Sequence, residues 1–220
     1  MSFIVENLPL IANGFLVTIE VTLVGIFAGL ALGIVLAIGD LYGGKIISTI
    51  IRFYVEFFRG SPIIAQLFIF VYVVPPLFHV LIDPLIAGFL IFALNSAAYQ
   101  KGYIKGAMQA VFEDQMQAGL SIGLSKASTI VFVILPQALR ILIPAWSNEF
   151  CSLTKSTAAL SQAGVRDLTS TFSSIGSQTF MILEAWVACA ILYLIWITVM
   201  TKIFDIVYEK KKIPGIEISA

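Results

Sequence analysis

The chain has 220 residues, 59% of them hydrophobic, and a mean hydropathy of +0.99. Its 13 basic and 13 acidic residues give no net charge, and the charged fraction of 12% is about half that of an average soluble domain. This composition excludes a disordered chain and an acidic or basic tail protein, and it argues against a nucleic-acid binder, which needs clustered basic charge.

Five stretches are long and apolar enough to cross a bilayer as helices, which takes about 20 residues each. In chain order they cover residues 14–39, 62–82, 84–100, 139–159 and 181–203. The first stretch carries Gly25, Gly29 and Gly33, whose four-residue spacing lets another helix approach closely. We therefore predict an all-α integral membrane protein with about five transmembrane helices, built as a single domain over residues 1–220 with a core at 14–205.

The basic residues predict the orientation of these helices. Ten of the 13 fall after the first span, after the third span or in the C-terminal tail, whereas the other ends and connections hold only Arg166. Because cytoplasmic loops carry the excess of Lys and Arg, we expect the N-terminus outside and the C-terminus in the cytosol. An odd number of spans agrees with ends on opposite sides.

The connection after the third span is long, and Ala, Leu, Gln and Met are prominent in it. Its pattern, over about residues 108–136, predicts a short amphipathic helix, a turn at Gly123 and a second helix that Pro136 interrupts near the membrane. A structured loop of this length usually has a function, and such a unit is suited to docking in a groove of another protein. An arbitrary amphipathic inner loop is the alternative.

This loop resembles the cytoplasmic coupling loop of ABC importer permeases, in which Glu-Ala-Ala, three residues, Gly, nine residues and Ile-x-Leu-Pro follow one another. Val133 stands at the isoleucine position, while Gln117 and Gly119 stand where the family has Glu and Ala. The residues that the resemblance assigns to ATPase coupling are Gln117, Ala118, Gly119, Gly123, Leu135 and Pro136.

Further motifs resemble the polar amino acid uptake subgroup of these permeases. They are residues 57–62 (FFRGSP) with Gln66, 95–99 (NSAAY), 148–150 (NEF) and 155–157 (KST), all in the expected order. The resemblance implies a permease subunit in a prokaryotic cell membrane, which pairs with itself or a related permease and forms the translocation path. A separate ATPase and an extracytoplasmic amino-acid-binding protein would be its partners.

The resemblance places ATP and Mg²⁺ on the partner ATPase, so we expect no cofactor in this chain. In agreement, the sequence has no Gly-x4-Gly-Lys-Ser/Thr phosphate loop. Cys151 and Cys189 lie in apolar stretches without paired spacing, and His79 is the single histidine. Neither a disulfide framework nor a metal site is therefore indicated.

Ionisable groups at membrane depth are costly and suggest a functional site. Seven residues make nearly two helical turns, so Asn148 and Lys155 share one stripe of a helix, and Glu149 and Ser156 share the next. Such groups suit a zwitterion, because a carboxylate prefers Arg, Lys or hydroxyl donors and an ammonium prefers Glu. The predicted substrate-binding residues are Glu149, Ser156, Lys155, Arg59, Gln66, Ser96, Tyr99 and Asn148.

A structural alternative exists for the two cations. Arg59 and Lys155 would then neutralise Glu56, Glu149 or the carbonyl groups at helix ends, without touching substrate. For Arg59 the neighbouring Gly-Ser-Pro sequence favours a structural or gating role at a helix break. At the position of Ser156, related permeases often have Asp, a partner for a cationic side chain, so this chain is expected to prefer a polar or acidic amino acid.

Two other classes of protein remain as alternatives. A secondary carrier built from inverted repeats would show motifs repeated in its second half, and five spans do not divide evenly. A non-transporting membrane assembly protein would not need the loop motif in register. An enzyme is disfavoured because the sequence shows no grouping of paired acids, no His cluster and no nucleophile elbow.

Overall fold

The computed structural model describes residues 2–212, and every regular element in that range is a helix. This confirms the predicted all-α class, while residues 1 and 213–220 of the predicted single domain lie outside the described range. The elements are α1 (Ser2–Glu6), α2 (Leu8–Tyr42), α3 (Gly44–Gly60), α4 (Ile63–Phe68), a π turn (Ile69–Val73), α5 (Val74–Phe78), α6 (Pro84–Ser121), α7 (Lys126–Thr129), a second π turn (Ile130–Ile134), α8 (Leu135–Ile141), α9 (Ile143–Ser156), a 3₁₀ helix (Thr157–Ala163), α10 (Leu168–Thr179) and α11 (Ile182–Lys211).

Two of the described helices, α2 and α11, are each long and apolar enough to cross a membrane. Two bent pairs have the same character when taken together. Gly44–Gly60 and Ile63–Phe78 meet at 102°, and Lys126–Ile141 and Ile143–Ala163 meet at 60°. The helix α6 contains the third predicted span but is less apolar, because polar residues interrupt it. Length and composition thus support two spans, or up to four.

The long helices α2 and α6 pack closely at the glycines of α2. A methyl group on Gly29 would lie 2.9 Å from both the Cβ atom of Ser96 and the Nε2 atom of Gln100. The neighbouring Gly25 and Gly33 likewise face α6 side chains at 3.2 Å. The predicted close approach at this glycine ridge is therefore confirmed, and it brings α2 against the polar segment of α6.

The helix α6 runs without a break from Pro84 to Ser121, so the prediction of a separate short helix in the inner connection is wrong. Its buried face continues beyond the predicted span through Ile104, Met108 and Val111. Lys101 and Lys105, which mark the end of the span in the sequence, both form ion pairs with Asp40 of α2, at 2.6 and 2.7 Å. Because both cations are paired with Asp40, α6 continues past them and stays packed against α2.

The rest of the inner connection turns at Gly123, as predicted, with a φ of +84°. Ser125 then caps the start of α7, because its Oγ atom accepts a hydrogen bond from the Ser128 N–H at 3.1 Å. The predicted interruption at Pro136 is not observed, since a π turn over Ile130–Ile134 leads directly into α8. A wider turn relieves the clash between a proline ring and the preceding carbonyl.

Candidate functional site

A cavity of about 550 Å³ lies where the α3–α4 break, α6 and α9 meet. Five of the eight predicted substrate-binding residues line it, and they come from three separate parts of the chain. These are Arg59, Tyr99, Asn148, Glu149 and Ser156. The structure thus brings together the ionisable and polar groups that the helical spacing and the motifs had singled out.

Glu149 is the buried acidic residue of this cavity, with only 5% of its surface exposed. Its Oε1 atom accepts a hydrogen bond of 2.8 Å from the Ser96 hydroxyl. Behind Ser96, the Gln100 amide donates to the Ser96 oxygen at 2.9 Å, and the Trp146 indole donates to Gln100 at 2.9 Å. This chain of hydrogen bonds holds the carboxylate in one position, and its Oε2 atom receives no hydrogen bond from the described residues.

Arg59 is the cation of the same cavity and lies in the last turn of α3. Its guanidinium carbon is 4.9 Å from the centre of the Tyr99 ring, which is cation–π geometry. Within residues 2–212 no carboxylate lies within 4.0 Å of Arg59, so the ion pair with Glu56 or Glu149 considered above is not formed. Arg59 and Glu149 nevertheless line the same cavity, so it contains one basic and one acidic side chain.

Three predicted substrate-binding residues do not line the cavity. Ser96 and Gln66 lie behind its wall, and Gln66 is only 3% exposed. The bend of 102° between the two helices removes the shared stripe that a straight helix would give to Arg59 and Gln66. Lys155 is exposed on α9 beyond the cavity edge, and it forms no ion pair within the described chain.

The cavity also contains polar residues that the sequence analysis did not assign to it. Ser152 lies three residues after Glu149, and Tyr103 lies four residues after Tyr99, so both follow the same helical faces. Ser61 and Asn95 are the other two such residues, and Asn95 directly precedes Ser96 in chain order. Helical spacing would have identified Ser152 and Tyr103, whereas the role of Asn95 depends on a contact with a distant segment.

The predicted coupling residues occupy both sides of the Gly123 turn. Gln117, Ala118 and Gly119 form the end of α6, and Leu135 and Pro136 begin α8. A methyl group on Gly119 would lie 2.5 Å from the Thr129 side chain. This close contact explains why glycine stands where the resembled motif has alanine.

Residues 29–213 match the family described as "Binding-protein-dependent transport system inner membrane component". The chain belongs to this family. The matched segment contains the cavity, the inner loop and most of the long helices. The family resemblance of the sequence motifs is therefore confirmed.

Curated relatives of this transport family cover most of the chain. A glutamine transport system permease protein of Escherichia coli (strain K12) is 32% identical over 207 residues, which is 94% of each chain. An L-cystine transport system permease protein of Bacillus subtilis (strain 168) is 34% identical over 190 residues, 86% of this chain and 80% of the relative. An arginine transport system permease protein of the same Bacillus strain is 30% identical over 94% of this chain and 95% of its own. Homologues of the chain are thus amino acid permease subunits.

Solved structures support the same family at the level of the fold. A chain from the "Crystal structure of an amino acid ABC transporter with histidines" superposes with a TM-score of 0.84 and 29% identity, over 94% of this chain and 96% of that one. A chain of the MetNI methionine ABC transporter in an inward-facing form has a TM-score of 0.76 over 94% and 99%, and its 20% identity supports the fold alone. The helical arrangement is that of an ABC transporter permease.

Proposed function

We propose that this chain is the permease subunit of an ATP-driven importer and that its cavity binds a polar amino acid. The observation that carries the proposal is the presence of Arg59 and the buried Glu149 on the walls of one cavity. Arg59 binds the α-carboxylate of the substrate, and Glu149 binds the α-ammonium group through its free Oε2 atom. A cation and an anion on the walls of one cavity complement the carboxylate and the ammonium group of a zwitterion.

The uncharged groups of the cavity determine which substrate side chains it can bind. Once Arg59 and Glu149 bind the two backbone groups of the substrate, the lining holds no further Lys, Arg, Asp or Glu. The hydroxyl groups of Ser152 and Ser156 and the amide of Asn148 remain for the side chain. A neutral polar amino acid satisfies these donors and acceptors without leaving a charge unpaired.

The family supports the proposed partners, and the distribution of basic residues supports the proposed placement in the membrane. We propose that two such permease subunits, identical or related, bind two copies of a separate ATPase through the loop around Gly123. The ATPase holds ATP and Mg²⁺, and an extracytoplasmic binding protein delivers the amino acid. In the proposed arrangement, with five spans and the N-terminus outside, this loop lies in the cytosol of a prokaryotic cell and the 160–180 segment lies outside.

Reconstitution of the whole complex tests this proposal. The permease, its ATPase and its binding protein are placed in lipid nanodiscs, and ATP hydrolysis is measured with glutamine, asparagine, histidine, cystine, arginine, lysine, glutamate and aspartate. We expect a neutral polar amino acid to stimulate hydrolysis most. Failure of every amino acid to stimulate an assembled, ATP-hydrolysing complex would contradict the proposal, and strongest stimulation by arginine or lysine would contradict the assigned substrate class.

A further inference from the structure

Two buried amide side chains close the break between α3 and α4. The Gln66 Nε2 atom donates hydrogen bonds to the carbonyl oxygens of Phe58 and Ser61, at 2.9 and 3.0 Å, and contacts the Ser61 hydroxyl at 2.8 Å. The Asn95 Nδ2 atom donates to the same Phe58 carbonyl at 2.9 Å and to the Gln66 Oε1 atom at 3.2 Å. We call Gln66 and Asn95 together the amide clamp.

The clamp satisfies backbone groups that the helix break would leave without partners. The last carbonyls of a helix have no partner within that helix, and at membrane depth no bulk water replaces it. Gln66 and Asn95 are 3% and 8% exposed, so they also exclude solvent from this point. The Gln66 side chain bonds to both helices. Its amide nitrogen donates to the Phe58 carbonyl of α3, and its oxygen accepts a hydrogen bond from Asn95 of α6. The clamp therefore fixes where α3 ends relative to α6.

Arg59 lies between the two carbonyls that the clamp holds. Its backbone is thus fixed by the bonds to Phe58 and Ser61, and its guanidinium rests on Tyr99, four residues after Asn95 on α6. Between those two α6 positions, Ser96 donates its hydrogen bond to Glu149. One face of α6 therefore holds both the cation and the anion of the cavity.

We propose that Gln66 and Asn95 are positioning residues, which set the separation of Arg59 and Glu149 for the carboxylate and ammonium groups of an amino acid. The inference rests on the proposed amino acid transport and extends it to Gln66, which lies outside the cavity lining, and to Asn95, which lines the cavity while its amide nitrogen binds Phe58 and Gln66. A loosened clamp leaves both charges present but lets the end of α3 move. Substrate affinity then falls, while an assembled complex still hydrolyses ATP.

Gln66→Glu separates this role from direct substrate binding. Glutamate keeps the size and the side-chain carbonyl oxygen of glutamine but loses the N–H donors that hold the Phe58 and Ser61 carbonyls. A positioning role predicts a higher KM for glutamine uptake with Gln66→Glu, Gln66→Ala and Asn95→Ala, by about tenfold. If Gln66 touched the substrate ammonium, Gln66→Glu would instead keep or lower the KM.

The matched control removes a different buried polar contact. Thr22 of α2 is fully buried, and its hydroxyl donates to the Thr18 carbonyl at 2.8 Å, outside the cavity lining. Uptake is measured in proteoliposomes that contain the complete complex, and the KM is compared with the maximal rate. We expect Thr22→Val to keep the wild-type KM. An equal rise in KM for Thr22→Val would overturn the positioning role, because any buried polar deletion would then have the same effect.

A thiol-labelling experiment tests the clamp without relying on transport. Cys151 and Cys189 are replaced by Ala, and Gly60→Cys is introduced at the end of α3, where a Cβ atom meets nothing within 4 Å. A loosened clamp predicts a changed rate of labelling by a charged methanethiosulfonate reagent in Gln66→Ala and in the milder Gln66→Asn. Unchanged labelling in both variants overturns the clamp. If the wild-type complex transports no amino acid, the proposed function fails, and the labelling result still decides whether the clamp exists.

Discussion

The hydroxyl of Ser96 on α6 donates a 2.8 Å hydrogen bond to the carboxylate of Glu149 on α9, across 53 residues of sequence. Both side chains are buried, and the Gln100 amide holds Ser96 from the other side at 2.9 Å. A carboxylate held in this way needs little rearrangement when a cation binds to its other oxygen. The geometry of the proposed ammonium site therefore depends on how α6 packs against α9.

Glu149→Gln should weaken substrate uptake while the complex still assembles. The change removes the charge that attracts the ammonium group but keeps the shape and an acceptor for Ser96. Losing one charge-assisted contact costs ~1.5–3 kcal/mol, or roughly ten- to a hundredfold in affinity. The measurement is the KM for uptake, with ATPase pull-down as the control for assembly. Lower yield with an unchanged order of substrates would assign Glu149 a structural role instead.

Ser156→Asp should shift the preference towards cationic amino acids. Ser156 lines the cavity one turn beyond Ser152, whose carbonyl accepts its hydroxyl at 2.9 Å. A carboxylate at this position attracts a guanidinium or ammonium side chain and repels an acidic one. Uptake competition among arginine, lysine, histidine, glutamine, glutamate and aspartate measures the shift. An unchanged ranking in a well-assembled variant would show that this cavity does not select the substrate side chain.

The features that the sequence predicts well depend on spacing within one helix. Gly25, Gly29 and Gly33 repeat every four residues, so their shared face against α6 follows from helical geometry alone. In the same way, Glu149 and Ser156 share a face of α9 and line the cavity together. Local periodicity is sufficient where the helix is regular.

The features that sequence reasoning missed depend on contacts between distant segments. The end of α3 is held by Asn95, 37 residues after Phe58, and no local pattern predicts that bond. Likewise, Lys101 and Lys105 suggest the end of a helix until their partner Asp40 on α2 is known. Long-range pairing therefore decides both the helix break and the length of α6.

The proposed orientation predicts which faces of the protein a membrane-impermeant thiol reagent reaches in intact cells. In a background without Cys151 and Cys189, Ser177→Cys on α10 should be labelled from outside. Ser121→Cys at the end of α6 should be labelled only after the membrane is opened. Both positions are exposed, so the comparison does not depend on burial. The reverse pattern would overturn the orientation and, with it, the cytosolic docking loop.

Gly123→Arg should leave the permease folded and inserted but prevent its binding to the ATPase. Gly123 has a φ of +84°, which costs a residue with a side chain roughly 1–2 kcal/mol. A Cβ atom there meets nothing within 4 Å, so the large side chain projects into open space, on the surface where we propose that the ATPase docks. Pull-down of the ATPase by detergent-extracted permease measures the loss.

Gly123→Asn is the matched control, because asparagine tolerates the left-handed backbone region better than arginine does. We expect this variant to bind the ATPase more strongly than Gly123→Arg and to transport. Wild-type complex formation and transport by Gly123→Arg would refute the docking role of the loop.

Asp167 makes the stability of the 160–180 connection depend on pH. Its side chain is fully buried, and its Oδ1 atom caps α10 by accepting from the Ser170 N–H at 2.8 Å. Among residues 2–212 its Oδ2 atom finds no hydrogen-bond partner. Burial raises the pKa of Asp167 to about 6, although the hydrogen bond from the Ser170 N–H acts in the opposite direction. Of the α11 groups that face it, Cys189 and Tyr193 supply no positive charge.

Asp167→Asn should therefore remove a loss of stability that the wild type suffers as the pH rises from about 4 to 6. In that window the unfolded chain, with its ordinary Asp pKa of 3.8, releases the proton before the folded chain does, so ionisation favours unfolding. A shift of about two pKa units corresponds to about 3 kcal/mol, fully expressed above pH 6. Asparagine keeps an oxygen to cap α10 but carries no charge.

Thermal unfolding in detergent across pH 4 to 8 measures the difference. We expect the variant to have the higher unfolding midpoint at pH 7.5 and little difference from the wild type at pH 4. Parallel pH profiles for the two proteins would show that Asp167 is not the group responsible.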